Sequence, residues 1–495
     1  MASSTTYGDW MRRIPGGIRN IGMPLTVAGF GVAVMALLVS TFNPLAGLVV
    51  AVAGVGAVAV LAVRDRRHRN VVDRITERRA MRDQRRTGRG LYRSGFLGYV
   101  DGGEAALPGI LSRVGLVDAV DGLGRPFCLI RHGHTGEYSL PIACHPQGAG
   151  LADDDVEDAY VASWARMMES LAVEQGVTQM AVTVDTSPDS GVRFRRVLGG
   201  HMVADAPDLA ARAMAQVMDL YATGGARSDV TLTLTFKYLD SHGRFLEPEE
   251  AARRISLLLP DVRRRIMEAG GGDAVPLDVD QVARMVRACY DPASQETLEE
   301  ADEPPLVAWE DAGPVAAAAE WDWYRHDSGV SRTWEMCDPP RSNVTSSNLA
   351  RLLEPLPDCD RKRVTVVFHM LSPDRTAFMV EQNRVKASAQ VGQEKRATMG
   401  SMSQVGKADR QAVETNRGAV MVFFGLLVTA TVAAGEGEAA RLEAASRAVE
   451  SAAGGAKIDL RPCYGAQDTG FAASLPLGVN LQTYTPPSLI GSLLK

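Results

Sequence analysis

The chain has 495 residues, 53 basic and 59 acidic side chains, a formal charge of −6 and 46% hydrophobic residues. That is material for several ordinary domains, and the overall balance excludes a uniformly basic nucleic-acid-binding body. The charge is divided along the chain: residues 1–93 carry 15 Arg against 5 Asp or Glu, while residues 94–495 carry 38 basic against 54 acidic groups.

Residues 21–63 contain no charged side chain. Pro44 lacks a backbone donor and disfavours helix at Asn43, so the run divides into two apolar segments, 21–42 and 45–63. Their 22 and 19 residues compare with the roughly 20 that a hydrocarbon core requires. A transmembrane helical hairpin is therefore expected over 21–63, after a tail at 1–20, with Gly29/Ala33 and Gly47/Ala51 as small faces for close packing. Arg12, Arg13 and Arg19 precede it and twelve arginines follow between 64 and 93. The positive-inside rule then predicts a multi-pass protein of the cell membrane with both termini cytoplasmic. In the arginine-rich segment at 64–95, Arg64, Arg66, Arg67, Arg69, Arg74, Arg78 and Arg79 are candidates for contact with anionic lipid, each worth about 1 kcal/mol. Direct nucleic-acid contact is not expected, since the segment has one aromatic residue, Tyr92.

Beyond it, strand patterns at 127–131, 138–142, 180–184 and 230–238 alternate with helical patterns at 154–175, 208–222, 247–268 and 280–290. They outline a first α+β domain at 96–293. A linker is expected at 294–323, where an acidic stretch, Pro304-Pro305 and four consecutive alanines interrupt the pattern. The second α+β domain, 324–495, reads as strand 363–370, helices 374–390 and 408–415, strand 420–432, helix 436–453 and strand 458–461. The expected fold class is α+β, a two-helix transmembrane hairpin followed by two cytoplasmic domains with open mixed sheets. Six cysteines without CxxC spacing read as reduced and structural.

The sharpest chemical motif is Leu129-Ile130-Arg131-His132-Gly133-His134-Thr135, which resembles the strand-to-loop signature of histidine phosphatases. There an imidazole nucleophile needs a cationic cradle, so His132 with Arg131 forms the alternative catalytic reading. His132, His134, Cys144 and His145 offer four zinc-ligating side chains, but their spacing fits no standard pattern and no metal is expected. Gly400 to Lys407 has one residue too many for a phosphate-binding loop and no following hydroxyl. No cofactor is implied.

Two stretches carry a family likeness. Ser331 to Val344, with Trp334, Pro340 and Arg341, resembles an actinobacterial family of conjugation-associated membrane proteins. That family is similar in turn to the amino-terminal part of VirB/TraC-type ATPases of type IV secretion. The second stretch, with Gly465, Gln467, Pro476 and Gly478, resembles the YGxQ…LP run that closes the non-catalytic domain of those ATPases, and the hairpin resembles the small VirB/PrgI-type subunit. The resemblance implies a membrane-anchored scaffold, not an enzyme. Its implied partners are a separate VirB/TraC-type ATPase, a polytopic channel subunit, anionic lipid and further copies of itself in a homo-oligomer. A structural subunit of a type VII apparatus is a third reading.

Overall fold

The computed structural model describes residues 23–62, 71–94, 107–146, 153–189, 191–192, 198–201, 203, 206–221, 225–300, 306–340, 344–393, 399–416 and 418–484. The apolar stretch forms two helices, α1 (Met23–Phe42) and α2 (Pro44–Ala62), which pack against each other. Asn43 separates them and caps the second, its Oδ1 accepting from the amides of Leu45 and Ala46 at 3.0 and 3.3 Å. The close contacts fall at Gly47 and Gly54, where an added Cβ would lie 2.6 Å from Ser40 and 2.1 Å from Val32. Gly29, expected at such a contact, faces open space.

The expectation of a transmembrane hairpin is corrected here: among the described residues no helix is long and apolar enough to cross a membrane. The multi-pass placement in the cell membrane is corrected with it.

Helix α3 (Val71–Thr87) carries Arg74, Arg78 and Arg79 on exposed positions. It lies on the body through buried Met81 and the Arg85–Glu320 ion pair. It leads into β1 (Leu91–Arg93). Then follow β2 (Val114–Val120), β3 (Pro126–His132), β4 (Glu137–His145), α4 (Asp154–Val173), β5 (Val177–Pro188), α5 (Asp208–Tyr221) and β6 (Ala226–Phe236). Helix α6 (Pro248–Glu268), β7 (Asp273–Pro276) and α7 (Val279–Tyr290) complete the first half. The second half has β8 (Ala316–Ala319), β9 (Tyr324–His326), β10 (Gly329–Asp338), a short helix Ala350–Leu353 and β11 (Arg361–Met370). The helical pair α8 (Pro373–Gln393) and α9 (Met399–Asn416) precedes β12 (Val422–Ala433), α10 (Glu438–Gly455), β13 (Asp459–Pro462) and α11 (Gln467–Ser474).

Among the described residues thirteen strands join one sheet, ordered β1-β8-β9-β10-β12-β11-β5-β6-β4-β3-β2, with β13 added to β10 and β7 to β4. Every named ladder is antiparallel. The expected pair of open mixed sheets is thus replaced by a single sheet. β5 from one half and β11 from the other run side by side, from Lys362 opposite Thr186 to Phe368 opposite Met180. The four alanines read as linker form β8, which pairs with β1 and β9 and buries Ala317 and Ala319 in the core.

Each face is covered by helices, giving three layers. Helices α4 and α6 bury Phe127, Leu140, Met180, Leu232 and Leu234 against one face, and α10 continues this layer over Trp334, Val364 and Val428. On the opposite face lie α7, α11 and the segment after α11.

Candidate functional site

Alternation along the central strands puts apolar side chains under α6 and α10 and leaves hydroxyls on the other face. Ser139, Thr233, Thr235, Ser331, Thr333, Thr365 and Thr429 are all buried there. Buried hydroxyls require partners. The last residue of α11 and the segment after it supply partners: Thr365 donates to the Ser474 carbonyl at 2.8 Å, Thr233 to Pro476 at 3.0 Å and Thr235 to Gly478 at 2.8 Å. Gln179 donates its amide to the Val479 carbonyl at 3.3 Å, and Asn480 donates to Glu137 at 3.0 Å. Gly478 has φ +72°, and a Cβ there would sit 2.5 Å from Ser139 Oγ and 2.6 Å from Thr235 Oγ1. Only glycine combines that conformation with so close an approach.

The other motif residues converge on the same region. Gln467 is fully buried; its Oε1 accepts from the Thr333 amide at 2.8 Å and its Nε2 donates to the Thr333 carbonyl at 3.2 Å. One side chain thereby bonds both backbone groups of Thr333, whose carbonyl also accepts from the Cys463 amide at 2.9 Å. Gly465, at φ +70°, donates to the Trp321 carbonyl at 2.7 Å, in a turn where Trp321 stacks on Tyr464. Trp334 is fully buried on the opposite face of β10, among the residues packed under α10. Pro340 is half-buried just past β10. Arg341 lies outside the described residues, as do Arg64, Arg66, Arg67 and Arg69.

Sequence reasoning missed the charged cluster beside the closing segment. Asp185 on β5 receives Arg361 through Nε and Nη2, each at 2.9 Å, with Arg363 at 3.8 Å and the Cys289 thiol at 3.6 Å. Burial alone would raise the Asp185 carboxyl, but the two guanidinium groups outweigh it and hold its pKa below the ordinary value. Arg361 also donates to the Ala288 carbonyl at 2.8 Å, and the Arg363 guanidinium lies 4.8 Å from the centre of the Phe471 ring. Between them Lys362 points to the other face and donates to the carbonyls of Leu352, at 2.6 Å, and Glu354. Burial lowers its pKa to about 8. The signal was the run Arg361-Lys362-Arg363 opening an apolar strand, where charges survive only when paired.

His132 and Arg131, adjacent on β3, point to opposite faces: the histidine is buried and the arginine exposed. His132 Nε2 lies 2.9 Å from Ser139 Oγ and 3.1 Å from the Leu477 carbonyl. A carbonyl only accepts, so the ring carries its proton on Nε2. Burial lowers the His132 pKa to about 4, against a smaller upward pull from Leu477. The structure therefore does not bring together a nucleophilic His132 and a phosphate-holding Arg131. Among the described residues no group of three His, Cys, Asp or Glu side chains is arranged to hold a metal. His134 instead meets Ser112 at 3.3 Å, and His145 the Asp273 carbonyl at 3.3 Å.

Residues 16–73 match a family described as a domain of unknown function (DUF8461). The match spans α1, α2 and the first residues of α3, a small part of the chain. No curated protein matches it. A polar cleft of about 200 Å³ lies between Asp322, Arg332, Glu443, Arg447 and Tyr464. Arg332 is neutralised within it by Asp322 at 2.8 Å and Glu443 at 3.2 Å. The region as a whole holds backbone in place, with Gln179 Oε1 buried beside it and unpartnered.

Proposed function

We propose that the chain is a non-catalytic docking subunit of a conjugative, type IV-like secretion machine, holding a separate VirB/TraC-type ATPase and a polytopic channel subunit. The observation supporting this is the fate of the run from Gly465 to Gly478. Its distinctive residues serve as backbone fasteners, Gln467 for β10 and Gly478 for the Ser139/Thr235 pair. With these residues committed to holding backbone, this reading assigns the chain's work to interface free energy. Histidine-phosphatase chemistry remains the second reading, on the sequence motif alone, with His132 sealed beneath Leu477.

The test uses the full-length chain, tagged and co-expressed with the type IV-like ATPase encoded nearest to it. Co-purification of the two, together with no turnover of a generic phosphomonoester, is the expected result. Failure of the pair to co-purify at low salt, or phosphomonoester turnover abolished by His132→Ala, overturns the docking reading.

A further inference from the structure

The two halves of the sheet repeat one another. In the first, β2, β3 and β4 are followed by α4, β5, α5, β6, α6, β7 and α7; in the second, β8, β9 and β10 are followed by a short helix, β11, the α8/α9 pair, β12, α10, β13 and α11. For four strands outward from the β5/β11 boundary the order corresponds in both directions, β1 alone extending the second half beyond β8, and β7 adds to β4 as β13 adds to β10.

The ladder registers carry the correspondence to single residues. Ser139 lies opposite Thr235 as Ser331 lies opposite Thr431. Ile142 is flanked by Leu232 and Pro276 as Trp334 is flanked by Val428 and Pro462. Val182 opposes Leu232 as Val364 opposes Val428. At the boundary Val182 pairs with Val366 and Val184 with Val364. The local two-fold therefore passes between Thr183 and Thr365, whose hydroxyls meet at 3.1 Å.

On this correspondence His132 and His326 are equivalent: each ends the strand that pairs with the serine-bearing strand. His132 Nε2 lies 2.9 Å from Ser139, which lies 3.0 Å from Thr235. His326 Nε2 lies 2.7 Å from Ser331, which lies 2.7 Å from Thr431. Each ring also reaches the opposite half. His132 donates to the Leu477 carbonyl at 3.1 Å, three residues past the end of α11. His326 Nδ1 donates at 2.6 Å to the carbonyl of Tyr290, the last residue of α7, a group that a helix end leaves unpaired. The two rings are opposite tautomers: Nε2 of His132 makes both of its bonds, whereas His326 donates from Nδ1 and its Nε2 accepts from Ser331.

We infer that the chain is two copies of one unit in tandem, and that His132 and His326 are equivalent clasps, each bonded to a serine–threonine pair in its own half of the sheet and to a carbonyl at, or just past, the end of the other half's closing helix. Sheet pairing at β5 and β11 joins the halves along one line. The clasps join them a second time, on the helical layer, so neither closing helix is anchored by its own half alone.

Hydrogen exchange on the full-length chain tests this. His326→Phe should speed amide exchange about tenfold at the end of α7, in the other half, and His132→Phe should do the same at 475–480. Faster exchange confined to the half that carries the substitution, or spread evenly over both, overturns the inference. Should either histidine variant fail to fold, Ser331→Ala and Ser139→Ala remove the serine bond and keep the ring. They should give the same crossed pattern at about threefold, and its absence in them overturns the inference equally.

Discussion

Gly478 shows what a single missing atom permits. Its φ of +72° and the hydroxyls of Ser139 and Thr235, which would lie 2.5 and 2.6 Å from an added methyl, leave no accommodating shift on either strand. Gly478→Ala should cost about 3 kcal/mol by strain and overpacking together, read as a lower urea midpoint with an unchanged slope. The two buried histidines make a pH prediction. Both have pKa values lowered to about 4 by burial, from an ordinary 6.5. Between those limits the unfolded chain binds more protons, so stability falls as pH drops from 6.5 to 4, by up to about 3 kcal/mol for each ring. Urea midpoints measured across that range should decline steeply, and His132→Gln or His326→Gln should each reduce the slope by about one proton. Asp185, held below the ordinary carboxylate value, adds its own loss of stability only at still lower pH.

Among the elements, the closing segment is the one whose loss would be felt furthest. Gln467→Met keeps the volume but strands the amide of Thr333 in the interior, while the Thr333 carbonyl keeps the Cys463 amide at 2.9 Å. A destabilisation of about 1 to 3 kcal/mol is expected, seen as a drop in Tm, because an unpaired buried backbone group bears its full desolvation cost. Element positions were largely legible in the sequence. The helix expected at 247–268 forms as Pro248–Glu268, and the strand expected at 420–432 as Val422–Ala433, because each has a strong period and clear end signals. What could not be read was the role of the second face. The alternation at 230–238 has the pattern of a strand with one wet side. In the structure Thr233 and Thr235 are buried, because the closing segment, 243 residues downstream, covers them.

At the scale of the whole molecule, the β5/β11 seam and its Asp185–Arg361 pair hold the two halves to a common sheet. Arg361→Gln leaves Asp185 buried with only distant Arg363, and should destabilise by about 3 to 5 kcal/mol. Calorimetry should then show the single transition broadening or dividing, as the halves uncouple. The sequence by itself determined the helices and most strands, the split of the apolar run at Asn43, and the turn glycines, because periodicity, capping and positive φ are local properties. Tertiary structure alone decided that two apparent domains share one antiparallel sheet, that the arginines opening β11 pair with Asp185, and that His132 is sealed away from Arg131. Those outcomes depend on contacts between residues far apart in the chain, and a hydroxyl or guanidinium carries no mark in the sequence of the group that will satisfy it.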